Sequence, residues 1–185
     1  GGVVSGLGEA AETLRASTKP ITAYITGNGA SAAYWLASQA SEIVMDRSAA
    51  VGSIGVVASM SRQEAPDTNG RRSYEVVSTG APMKRPDPST DDGKAAIQRD
   101  IDAIEEVFIA DVAAGRKVTE ARVRADFGQG AMLSAARAVA AGMADRVGTL
   151  EALLSEKSGR TRQPVVGSRA RASTDIETRR AAIRS

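Results

Sequence analysis

Residues 21–37 read ITAYITGNGASAAYWLA, and the order of residue types in them decides the fold class. Ile21 to Thr26 is a β-branched and aromatic run with the length of a short buried strand. Gly27-Asn28-Gly29 breaks the chain, and from Ala30 to Ala37 small and apolar residues start a helix. A strand, a glycine turn and a helix therefore follow one another, with Ser31 at the helix start.

The same alternation continues outward. Residues 5–16 place Leu7, Ala11 and Leu14 on one helical face, closed off by Lys19-Pro20, which cannot continue a helix. Glu42–Met45 reads as a strand. Val51–Val57 (VGSIGVV) reads as another, with glycines at close-approach positions, and Ser73–Ser78 as a further one. Thr79–Asp92 is a loop with three prolines, and Lys84 lies in it. The longest helix is expected over 91–115, with Ile97, Ile101, Ile104, Phe108 and Val112 on one stripe, ended by Gly115. Two more helices are expected at 119–126 and 133–141, the second capped by Gly142. A short extended piece at 143–147 and a helix at 149–156 follow. Strands alternating with helices give an α/β fold with crossover connections.

The 185 residues are enough for one domain with a buried core. Aromatics make up only 3% of the chain, so that core must be built from Ala, Val, Ile and Leu. Charge divides the chain. Residues 1–157 carry 17 basic and 20 acidic side chains, whereas 158–185 carry seven Arg and two acids. The expected organisation is a globular domain at 1–157 followed by a basic linker or disordered tail at 158–185, and no nucleic-acid partner. No apolar run is long enough to cross a bilayer. The start at Gly1-Gly2 without methionine reads as a processed or truncated chain, a form in which a secretion signal or anchor could have been lost.

Two absences narrow the chemistry. The sequence has no cysteine and no histidine. Disulfides, thiolate catalysis and cysteine metal sites are excluded, as are the Ser-His-Asp triad and histidine ligation. No metal or cofactor is expected. Acyl transfer here would need another base, and lysine is the candidate.

A serine at a strand–turn–helix junction is placed for nucleophilic attack. The turn exposes its hydroxyl, and the helix start offers free N–H groups to a developing oxyanion. Ala32 N–H would be one such donor, and Gly1-Gly2 would supply another if that backbone lies beside the turn. The alternative is that Ser31 only caps the helix. Of five lysines, Lys84 alone sits in a loop directly after an expected strand, flanked by Pro82 and Met83. A lysine base must be brought down from about 10.4 toward neutrality, which burial without a carboxylate partner achieves. A solvated surface lysine is the other reading. Ser53, in GSIG, would hold the lysine amine in line, or is simply a small residue in a tight strand. Tyr34-Trp35 reads as core before ligand platform.

Four stretches taken together resemble the signal peptide peptidase A and phage protease C family of serine peptidases. They are Lys19-Pro20 before an apolar strand, GNGASAAYWLAS, VGSIGVV and STGAPMK. The family's A-S-x-x-Y segment is matched at Ala30–Tyr34, its G-S-I-G-V strand at Gly52–Val56, and its lysine at Lys84. The ending ARAVAAGMADRVGTLEALL at 135–154 is similar to the family's A-x-x-x-G-L-x-D-x-x-G. The likeness spans about residues 1–155. It implies a Clp/crotonase-like α/β fold of repeated ββα units, with the strands that precede Gly-Gly missing from this chain. It further implies Ser31 as nucleophile, Lys84 as general base, Ser53 orienting the lysine, and an oxyanion hole from Gly1, Gly2 and Ala32. A peptide or unfolded protein is the implied substrate, and a homo-oligomeric ring the implied assembly. In some members serine and lysine of one site come from different subunits. Ala33 replaces a common glycine and Met143 a usual leucine.

The A-S-A-A-Y-W form and the run RPDPSTDD after Lys84 resemble the phage branch. The expectation is a capsid (prohead) maturation protease acting on scaffold or capsid proteins in the cytoplasm of a bacterial host, its tail opening a scaffolding segment. The alternative is a cellular signal peptide peptidase, membrane-associated if an anchor has been lost. Two rivals remain. A crotonase-like acyl-CoA enzyme would need carboxylates in the site, and none lies near the Ser31 turn in sequence. A capsid scaffold without catalysis would tolerate Ser31→Ala.

Overall fold

The computed structural model describes residues 1–60, 68–71 and 74–159. The chain divides into two compact units, Gly1–Thr149 and Leu150–Ser185. Of the second unit only Leu150–Gly159 is described, and it carries helix α6 (Leu150–Lys157). The tail expected from 160 onward lies outside the described residues.

The first unit is built on a repeat of two strands and a helix. Strands β1 (Thr22–Ile25) and β2 (Asn28–Ala30) lead into α2 (Ala32–Ala37), and β3 (Glu42–Met45) and β4 (Ala50–Gly52) precede α3 (Asp91–Arg116). Each pair sends one strand to each of two sheets. In the first sheet β1 pairs in parallel with β3, Thr22 opposite Glu42 through Ile25 opposite Met45, and β3 pairs in parallel with β6 (Arg146–Val147). In the second, β2 runs parallel to β4, and β4 is antiparallel to β5 (Met132–Ser134), Val51 opposite Leu133. Helices α1 (Leu7–Arg15), α4 (Glu120–Asp126) and α5 (Ala135–Ala141) complete the unit.

Ile43, Val44 and Met45 are consecutive and fully buried, as expected of a strand covered on both faces. With aromatics scarce, those present are placed centrally. Tyr34, Phe108 and Phe127 are buried, and Trp35 stacks on Phe108 with ring centroids 4.4 Å apart and planes 7° from parallel. The Asp111 carboxylate ties three helices together. It accepts from Trp35 Nε1 at 2.9 Å and from the Arg15 guanidinium at 3.0 Å. The buried Tyr34 hydroxyl donates to the Met143 carbonyl at 3.0 Å. Burial pushes that phenol far above its ordinary value, so it stays a donor at any physiological pH.

The helix over 91–116 follows the expected stripe and is capped by Thr90, whose hydroxyl accepts from Gly93 N–H at 3.1 Å. It runs past Gly115 to Arg116, and a side chain at 115 would overlap the Ser38 carbonyl. This glycine serves close packing of α3 on α2, and Lys117, at φ 56°, ends the helix instead. Four other boundaries differ from expectation. Asn28–Ala30 is a three-residue strand where Gly-Asn-Gly reads as a turn. Regular strand stops at Gly52, and residues 53–57 carry no strand assignment. Residues 74–78 carry none either, and Ser73 lies outside the described residues. Met132–Ser134 pairs as a strand before the helix begins at Ala135. Among the described residues no helix is long and apolar enough to cross a membrane.

Candidate active site

Ser31 is the residue between β2 and α2, and its backbone is strained, at φ 53° and ψ −123°. A non-glycine residue in this region persists only where its surroundings hold it. Here Ser31 N–H donates to the Gly52 carbonyl at 2.8 Å, clamping the turn to the end of β4. The side chain makes no capping hydrogen bond to the helix, so the cap reading fails. The residue instead lines a cleft of about 220 Å³ together with Gly2, Leu7, Trp35, Ser53 and Phe108 among others.

Four of the other expected site residues stand beside it. A Cβ built on Gly1 would lie 3.5 Å from Ser31 Cβ, and one on Gly2 3.4 Å from Ala32 Cβ. The Gly1-Gly2 backbone therefore runs alongside the serine turn, where glycine permits close approach. Ala32 opens the helix, and its N–H has no acceptor within α2. Ser53 lines the same cleft as Ser31. It too has positive φ, 53°, and its N–H donates to the Ala131 carbonyl at 3.1 Å. Gly52, at φ 135°, makes this possible, because a side chain there would overlap the Ala131 carbonyl oxygen.

Lys84 is the exception. It ends a single 3-10 turn, Pro82–Lys84, and it is exposed and lines neither cleft near Ser31. Neighbouring Met83 is 53% exposed. Ser31 and Lys84 line no common cleft.

Sequence reasoning missed a second cleft, of about 430 Å³, that adjoins the first along residues 53–57. It shares Ser53, Gly55, Val56 and Val57 with the first and adds Ile54, Glu105, Ile109, Val123, Arg124 and Phe127. Glu105 is the carboxylate that the sequence did not place near the site. Its signal was weak, one acid among many on α3.

Residues 13–162 match the model of peptidase family S49. Among solved structures, the 1510-N membrane-bound stomatin-specific protease, as a point mutant, is similar at TM-score 0.50 and 15% identity, over 86% of this chain and 65% of that one. Another mutant of it, in complex with a substrate peptide, gives 0.45 and 18%, over 85% and 61%. A probable enoyl-CoA hydratase/isomerase from Mycobacterium abscessus gives 0.47 and 18%, over 83% and 42%. The chain thus spans from about two-fifths to just under two-thirds of the length of these proteins. No curated protein sequence matches. The expected fold is the one found, a mixed α/β fold of the Clp/crotonase type built from ββα units.

Proposed function

The chain belongs to peptidase family S49, and on that premise we propose that it is a serine endopeptidase in which Ser31 attacks the peptide carbonyl and a lysine is the base. The observation that carries this reading is the strained, uncapped Ser31 in a cleft between Gly1-Gly2 and Ser53. Ser31 Oγ adds to the carbonyl carbon, and its proton passes to the neutral amine of Lys84, which Ser53 holds in line. The resulting oxyanion accepts from Ala32 N–H and from the Gly1-Gly2 backbone. Collapse expels the amine, which takes the proton from the lysine, and water then releases the acyl group by the same relay.

The exposed position of Lys84, away from the cleft of its own chain, favours delivery from a second copy in a homo-oligomer. The substrate would lie extended. Among the described residues the backbone N–H groups of Ile54 to Val57 have no backbone acceptor, so this segment offers a peptide an unpaired edge. The narrower role, maturation of a phage prohead inside a bacterial host, rests on the A-S-A-A-Y-W form and RPDPSTDD. Its substrates would be scaffold or capsid proteins, and the domain would end at 157.

The deciding experiment follows cleavage of an unfolded protein by wild type, Ser31→Ala and Lys84→Ala, from pH 6 to 10. Loss in both variants of at least roughly 10⁴-fold, with assembly intact and a wild-type rate rising along one alkaline limb, supports the dyad. Unchanged cleavage by Lys84→Ala would sink it. Turnover of a CoA thioester in place of peptide would favour the acyl-CoA rival, and no turnover at all the scaffold.

A further inference from the structure

We infer that the second cleft is a subsite for a basic side chain of the substrate, with Glu105 as its specificity-determining residue. The inference rests on the peptidase reading above. Three observations carry it.

The first is the state of the carboxylate. Glu105 is half-buried in the wall of the cleft and, among the described residues, makes no hydrogen bond or ion pair. Its Oε1 lies 3.4 Å from where a Cβ on Gly55 would stand, so it sits against the backbone of a segment that lines both clefts. The other charge in the cleft, Arg124, is exposed and paired with Glu106. Arg124 is thereby offset, and Glu105 is the uncompensated charge.

The second is the apolar ground beside it. Ile54, Ile109, Val123 and Phe127 line the cleft and are buried. A lysine or arginine presents this combination in reverse, an apolar stem and a cationic head. A purely apolar side chain would leave Glu105 desolvated without a partner, which is unfavourable.

The third is position. Ser53, Gly55, Val56 and Val57 line both clefts. A peptide laid along this edge with one side chain in the Ser31 cleft brings a nearby side chain to the Glu105 cleft.

The test uses the full assembled protein and a set of otherwise identical peptides carrying lysine or its uncharged isostere norleucine at each position around the scissile bond. Wild type should favour lysine at one position other than the one in the Ser31 cleft, by roughly tenfold in kcat/KM. Glu105→Gln should abolish that preference by losing rate on the lysine peptide and none on the norleucine peptide, and Glu105→Lys should transfer it to glutamate. Equal handling of lysine and norleucine everywhere, or an equal loss on all peptides in Glu105→Gln, would overturn the inference. Cleavage of the norleucine peptide, absent in Ser31→Ala, reads the peptidase assignment separately. If no peptide is cut, anisotropy of labelled lysine and norleucine peptides decides the subsite: tighter binding of lysine, lost in Glu105→Gln, sustains it, and equal binding ends it.

Discussion

The N–H of Ser31 donates to the carbonyl of Gly52 at 2.8 Å, and this one bond fixes the start of α2 to the residue that precedes Ser53. The two serines of the cleft are thus held by a shared strand end. Since β2 and β4 are parallel, with Ala30 opposite Gly52, the pairing continues into the site.

Gly52→Ala is expected to damage both stability and activity. The added methyl overlaps the Ala131 carbonyl, at a φ of 135° that alanine rarely adopts. A cost of about 3 kcal/mol is expected, which for a domain of this size lowers Tm by roughly 10 °C. Thermal unfolding measures it, and a Tm indistinguishable from wild type would show that the strand end relaxes freely.

Mixing two inactive proteins tests delivery of the base from a neighbour. Ser31→Ala still carries Lys84, and Lys84→Ala still carries Ser31. If one site draws on two chains, co-assembled variants regain activity, about a quarter of wild type at equal mixing when every pairing in a symmetric assembly is random. No recovery in verified mixed assemblies would place both groups in one chain.

Asp145 links acidity to stability. Burial pushes its carboxyl up, but hydrogen bonds from Arg116 and from Ile43 N–H, with the Arg116 charge, outweigh this and hold it below its ordinary 3.8. Its contribution is therefore complete above that value and is lost as the pH falls through the lower folded value. Asp145→Asn should cost about 1 kcal/mol at pH 7 after solvent screening. Denaturant titrations at pH 7 and pH 3 should show the gap to wild type narrowing; a constant gap would mean packing, not charge, is responsible.

Long periodic elements were legible because burial imposes their pattern. The stripe from Ile97 to Val112 located α3 almost to the residue. Ser31 was legible because strand, glycine and helix signals converge on it. Short strands were not. Asn28 stands between two glycines, a turn-like composition, yet Asn28–Ala30 pairs with β4 in register. Ile54 to Val57 has the residue types of a strand, but no strand of the described residues pairs with it. Propensity describes a segment, whereas pairing requires a partner. For the same reason the sequence could nominate Lys84 but not say what the lysine would pack against.

The stack of Trp35 on Phe108 has a practical consequence. The chain holds a single tryptophan, and it borders the Ser31 cleft. Its emission therefore comes from one place, with no background from other indoles. Intrinsic fluorescence is a built-in optical gauge of that cleft, and on the peptidase reading proposed above it would follow a peptide's arrival in real time without any attached dye.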